Sequence, residues 1–481
     1  MRGSRAGVGP ARGGWRRWAR GAGIRMAAVA AVAGLAAGIC APGAVAEGPP
    51  PINPGALPPD SAPRPPFEIE PANQCTITKA SSSSSIPPAQ QFLGLPGAWQ
   101  FGRGAGQTVA VIDTGVARHP RLPNLTGAGD YVGTSDGTQD CDAHGTAVAG
   151  LIGGQPAPGD GFSGVAPEAE IIAIRQLSEL YRAKGTQPDP NDPKNGGGVG
   201  NTTTLAQAVR HAADMGATVI NLSEVACGPP SLNDAALGAA VQYAATVRDI
   251  VVVASSGNND NKACTGNPGL DPIHPGADPW ASLTTAVTPA WYDQYVLSVG
   301  AVDLNGQPSQ FTVPGPWVGV AAPGEQIVSL DPTRPGLMDG TVAQNGESKL
   351  AGTSFAAPYV AGLAALVRSR FPQLSASQVI ARIEATAQHP PEGWNTSVGF
   401  GTIDPLAALT HEVDPNDVLE KKPTAAIGVS AQLPVPAEPP EPDHTARNVA
   451  LIGTATVGVI AVLGYLASFP LRRMLGSRDD D

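Results

Sequence analysis

The chain has 481 residues, of which 42% are hydrophobic and 15% charged, a balance that excludes disorder throughout; its 59 glycines and 49 prolines follow no three-residue period, which excludes collagen. The formal net charge is −11, and without the first 46 residues it is −18, because seven arginines and no acid lie in that stretch. Such an acidic chain lacks the clustered Lys and Arg that grip a phosphate backbone, so nucleic acid is excluded as its main partner.

The Arg-rich start gives way to an apolar stretch from Met26 to Cys40, followed by the small residues Ala44-Val45-Ala46. This pattern predicts a signal peptide over 1–46, cleaved after Ala46. Residues 47–71 carry ten prolines, and Ser81 to Ser85 is a polar tract. A Pro/Ser-rich extension is therefore expected over 47–90, extended first and flexible at the serines. Residues 412–447 are again Pro-rich and read as a linker. Val449 to Phe469 then gives 21 residues without a charge, which as a helix cover about 31 Å, the thickness of a bilayer core. A transmembrane helix is expected over 448–470. Arg472 and Arg473 follow, and the positive-inside rule puts the 471–481 tail in the cytoplasm. These features together predict an extracytoplasmic domain held at the cell membrane by one C-terminal span. If Cys40 leaves with the leader, Cys75, Cys141, Cys227 and Cys264 remain. An even count in an exported protein predicts two disulfides, with three pairings open, and the spacings contain no zinc-type C-x-x-C.

Between the appendages, residues 91–411 alternate strand and helix signals. The strand runs are Thr108 to Ile112, Ile171 to Ile174, Thr218 to Leu222, Ile250 to Ala254 and Val296 to Val299, all β-branched and apolar. Runs without polar alternation are buried on both faces, as in a parallel sheet. Helical patterns from Thr204 to Met215 and from Ser231 to Arg248 lie between them, and 180–200 reads as an irregular surface insertion. The fold class is α/β: a doubly wound, mainly parallel sheet with helices on both faces, plus the C-terminal transmembrane helix.

Catalytic residue types stand at three places. Val109-Ala-Val-Ile-Asp113-Thr-Gly115 is an apolar strand ending in a carboxylate and a glycine turn. His144-Gly-Thr-Ala-Val-Ala-Gly150 opens an Ala/Gly-rich helix, and Gly352-Thr-Ser354-Phe-Ala-Ala-Pro358 places a serine where a loop becomes a helix. A helix N-terminus favours negative charge developing beside it. Each segment alone could be structural; His211 and His411, for instance, read as solvated positions near helix ends. Jointly, the chain order Asp, His, Ser is one known order of the serine-hydrolase triad.

On these three motifs, with Gly164-Val-Ala-Pro167 and Gly399-Phe-Gly-Thr-Ile-Asp404, the sequence from about 91 to 411 resembles the subtilisin-like serine proteases. The resemblance implies Ser354 as nucleophile, His144 as general base and acid, and Asp113 as the group holding the imidazole. It implies an oxyanion hole from the Asn258 amide and the Ser354 N–H, and substrate-binding positions at Ser223, Glu224, Ser255 and Gly257. An extended peptide would lie along Asn221-Leu-Ser223. Many relatives follow that serine with Leu-Gly-Gly, whereas this chain has Glu224-Val-Ala, and Ala147 stands where many secreted relatives have His. A carboxylate beside the cleft would favour basic or polar side chains, or narrow the groove. No cofactor is expected, and no metal: the 153–164 turn offers one carboxylate, Asp160, where calcium takes six to eight oxygens.

The Pro-rich arm, the C-terminal span and the long insertions are similar to those of mycosins, the membrane-anchored subtilisin-like proteases of mycobacterial type VII (ESX) secretion systems. This likeness implies the pairs Cys75–Cys141 and Cys227–Cys264, each stabilising by about 4 kcal/mol at most. It implies protein or peptide substrates, and the type VII membrane complex as a partner. A structural subunit with proteolysis secondary is the competing expectation, and an esterase on the same triad a third.

Overall fold

The computed structural model describes residues 48–186, 198–259, 264–271, 273–274, 277–343, 346–416, 419–421 and 445–475. The predicted leader and most of the linker lie outside them.

All five apolar runs become strands of one seven-stranded parallel sheet, and two strands join them. In chain order these are β1 (Thr108–Asp113), β2 (Leu125–Asp130), β3 (Glu170–Arg175), β4 (Val219–Leu222), β5 (Val251–Ser255), β6 (Val296–Val302) and β7 (Val318–Pro323). Their spatial order is β7-β6-β5-β4-β1-β3-β2. The added strands escape the pattern for a reason. β2 reads Leu-Thr-Gly-Ala-Gly-Asp and sits at one edge, where one neighbour suffices; β7, at the other edge, carries a glycine and ends in proline. β1 pairs β4 in the register Val109↔Val219 and β3 in the register Asp113↔Arg175. Beyond β1 the winding changes direction, so the carboxyl ends of β1, β4 and β5 border the crevice where open α/β sheets bind ligands.

Helices cover both faces: α1 (Gly145–Gly153), α2 (Thr202–Asp214), α3 (Ala235–Gln242), α4 (Thr353–Arg370), α5 (Ala376–Ala385) and α6 (Pro405–Thr410). α4 is the central one, buried from Thr353 through Val367. α2 begins two residues before its predicted start because Asn201 caps it, its Oδ1 accepting the N–H groups of Thr203 and Thr204 while Thr204 returns a bond to the Asn201 N–H. The helix expected over 231–248 is shorter. It starts at Ala235, after the strand pairing of Ala226–Gly228 with Ala286–Thr288, and ends in one π turn at Tyr243–Val247.

The N-terminal extension is more ordered than its composition predicts. Ile69–Pro71 pairs antiparallel with Tyr181–Ala183, so part of the 180–200 insertion is strand, with ion pairs Glu70–Arg182 and Glu68–Lys184 at 2.9 Å. Ile77–Ala80 pairs with Met338–Val342, and the Ser81 N–H bonds the Leu337 carbonyl at 2.8 Å, which anchors the start of the serine tract. Ala89, Leu93, Leu95 and Ala98 are buried in the main core, so the expected boundary near residue 91 falls inside a packed segment.

The second unit contains the helix Thr445–Leu475, whose stretch Thr445–Pro470 is long and apolar enough to cross a membrane. Its apolar side chains, Leu451, Ile452, Val459, Ile460 and Leu463 among them, are exposed on every face, as a lipid-facing span requires and a core helix does not.

Candidate active site

Asp113 is the last residue of β1 and fully buried; its Oδ1 accepts the Thr114 N–H at 2.7 Å. The same oxygen lies 2.8 Å from His144 Nδ1, and His144 Nε2 lies 2.9 Å from Ser354 Oγ. Three side chains from β1, the start of α1 and the start of α4 thus form one hydrogen-bonded line across the sheet's carboxyl edge. With Nδ1–H donating to Asp113, Nε2 carries a lone pair toward the serine hydroxyl. Burial opposes protonation of the imidazole, but the charge and hydrogen bond of Asp113, with the charges of Glu224 and Asp140, outweigh it and hold the pKa above the ordinary histidine value.

The histidine's loop also holds Asp140, a residue that sequence reasoning did not single out. Asp140, half-buried, accepts hydrogen bonds from the Ala143 N–H, the Thr114 hydroxyl, and the N–H and hydroxyl of Thr146 at 2.6–2.9 Å. Burial raises its carboxyl to about 6, against those four donors. It joins the turn after β1 to the first turn of α1, on either side of His144. No motif marks such a residue; an acid four positions before the histidine was the only signal. A Cβ on Gly145 would meet the Gly115 carbonyl oxygen at 2.1 Å, so the helix approaches β1 this closely only with glycine there.

Ser354 is the second residue of α4, so its N–H is one of the helix's four unpaired donors. Pro358, four positions on, has no N–H to give the Ser354 carbonyl. The hydroxyl of Ser223 fills that place at 2.7 Å, and Asn221 Nδ2 donates to the Ser223 hydroxyl at 2.9 Å. Pro358 is thus more than a tolerated residue: the acceptor it leaves free is the one through which Ser223 ties the Ser354 backbone to the end of β4.

The other predicted site residues gather here too. Asn258 Oδ1 accepts from both the N–H and the hydroxyl of Thr353 at 3.0 Å, which turns its Nδ2 toward the serine. A Cβ on Gly352 would lie 3.1 Å from Ser354 Oγ and 3.2 Å from Asn258 Nδ2, so the hydrogen of this glycine (φ +150°) leaves open the space between nucleophile and amide. Ser223 and Ser255 are buried, their hydroxyls spent inside the protein, Ser255 on the Ser223 carbonyl at 2.9 Å; Gly257 is buried at a positive φ before Asn258. Glu224 is half-buried, with Oε1 3.5 Å from His144 Nδ1. Residues 223–225 carry no ladder pairing among the described residues, which leaves their backbone open to an extended chain.

Disulfides join Cys75 to Cys141 and Cys227 to Cys264. Asp160 is engaged by Arg121, whose Nη1 donates to both carboxylate oxygens at 3.1 and 2.8 Å. Among the described residues, the groups close enough to share a cation are Asp113, His144 and Glu224, two of which already bond each other. His211 is less free than expected, its Nδ1 lying 2.9 Å from Asp60 Oδ1 of the extension.

A parallel sheet with this Asp–His–Ser line at its carboxyl edge defines a serine protease of the α/β kind, and comparison with known proteins agrees. The subtilase family (peptidase S8) matches residues 104–401. Mycosin-4 of Mycobacterium tuberculosis is 46% identical over 453 residues, 92% of this chain and 95% of that protein. The solved structure of MycP3 protease from the type VII (ESX-3) secretion system shares 46% identity and a TM-score of 0.71, over 76% of this chain and 100% of that one. A chain of an intact ESX-5 inner membrane complex shares 42% identity and a TM-score of 0.72, over 87% and 99%. The chain belongs to the subtilase family of serine proteases, and within it to the mycosins.

Proposed function

We propose that the protein is a membrane-anchored, extracytoplasmic serine endopeptidase that works by an acyl-enzyme mechanism within a type VII secretion membrane complex. The observation that carries the chemistry is His144, bonded at 2.8 Å to Asp113 and at 2.9 Å to Ser354. Ser354 Oγ attacks the scissile carbonyl as its proton passes to His144 Nε2. Asp113 steadies the imidazolium through Nδ1–H. The developing oxyanion takes hydrogen bonds from the Ser354 N–H and Asn258 Nδ2, groups fixed beforehand by α4 and Thr353. His144 then protonates the leaving amine, and water, giving its proton to the same nitrogen, releases the acyl group.

A fluorophosphonate probe is expected to label Ser354 and to fail on Ser354→Ala. Asn258→Ala is expected to lower kcat by about 10²–10³, the scale found for loss of such a donor in a subtilisin. An unlabelled Ser354 in the folded protein overturns the assignment.

The reading of the ends supports the location: a leader removed after Ala46, a 47–90 extension bound to the 91–411 peptidase domain, a 412–447 linker, a span over 448–470, and a cytoplasmic 471–481 tail next to Arg472 and Arg473. A chain of similar sequence in the ESX-5 inner membrane complex favours a second reading, a structural subunit whose proteolysis is secondary. Ser354→Ala in cells separates the two. Secretion that stays normal with substrate unprocessed supports the scaffold, and secretion lost from an intact complex supports the enzyme.

A further inference from the structure

We infer that Glu224 makes the cleft select a cationic side chain, lysine or arginine, at one of the four positions before the bond that is cut. This rests on the endopeptidase reading and names the substrate class of the same site. Glu224 follows Ser223, at the start of the unpaired backbone expected to receive substrate. Among the described residues its carboxylate makes no hydrogen bond, and its one ionic contact is the 3.5 Å approach to His144 Nδ1, a nitrogen already used by Asp113. About a third of the side chain is exposed, and its carboxylate reaches the histidine of the site.

Its surroundings are acidic. Burial raises the Glu224 carboxyl most; the His144 charge opposes this, while Asp113, Glu179 and Asp142 add to it. Glu179 is exposed, and Asp142 is held beside it by the Glu179 N–H at 2.8 Å and by the Ser178 hydroxyl. A half-buried carboxylate with no donor of its own, pressed by other carboxylates, is costly by itself. A cation entering the cleft gives it the missing partner and relieves that repulsion. A neutral side chain does neither. Charge-assisted hydrogen bonds at partly buried sites discriminate by about tenfold or more.

The test uses peptidyl phosphonates that label the active serine, paired so that lysine or norleucine stands at one of the four positions before the phosphonate, with a plain fluorophosphonate to normalise for folded, competent enzyme. The wild-type protein is expected to react about tenfold faster with lysine at one of these positions. In Glu224→Gln the ratio is expected to fall within about twofold of one, and in Glu224→Lys to drop below one. The ratio cancels any effect of the substitution on His144 that both probes share. Fluorophosphonate labelling of Ser354 without a lysine preference, or a preference that survives Glu224→Gln, overturns the inference and leaves the protease standing. No labelling of Ser354 by any probe overturns both.

Discussion

His144 Nδ1 faces two carboxylates, Asp113 and Glu224, and the second is expected to have a measurable effect. In the mechanism proposed above, His144 must be neutral to accept the serine proton, so kcat/KM is expected to rise with pH through its pKa, which lies above the ordinary histidine value. Glu224 is one of the charges that hold it there. Removing that negative charge weakens the imidazolium, so in Glu224→Gln the acid limb of the kcat/KM profile is expected to move to lower pH, with a larger share of the plateau rate retained below neutrality. A limb that stays in place, or moves up, contradicts the coupling. Asp113, His144, Ser354 and Asn258 were legible because their neighbours form motifs with small residues at fixed offsets. Asp140 and Thr353 were not: Asp140 gathers the Thr114 and Thr146 hydroxyls with two backbone N–H groups, and Thr353 donates to the Asn258 side chain, and neither role leaves a periodic or compositional trace.

At the scale of elements, the parallel sheet was readable from β-branched runs, while the strand pairings of the extension were not readable from its composition. Prolines do exclude it from the interior of a sheet, yet short edge pairings such as Ile77–Ala80 on Met338–Val342 need few donors and tolerate its composition. The Cys75–Cys141 bond adds a covalent tie across 66 sequence positions. Cys75→Ser is expected to lower the unfolding free energy by up to about 4 kcal/mol in denaturant titrations under oxidising conditions, with fluorophosphonate reactivity retained because the β pairings persist. A loss near zero would mean that those pairings already hold the arm unaided.

For the molecule as a whole, the Asp113–His144–Ser354 line and the long apolar helix lie in separate parts of the chain. The contact pattern divides the protein at Ala426, and the long apolar helix begins at Thr445. A chain ending at Ala426 is therefore expected to leave the membrane fraction for the soluble one while keeping Ser354 reactive, whereas the full chain needs detergent. A truncated form that stays with the membrane would place attachment in the peptidase unit.

The bridge between Cys75 and Cys141 also bears on maturation. Were a processing enzyme to nick the exposed serines at 82–85, the piece ending there would remain stapled to the loop three residues before the imidazole. Such a nicked chain would migrate as one species in electrophoresis until a thiol was added, and would then separate into two. Maturation in this protein can therefore be complete in peptide bonds while nothing departs.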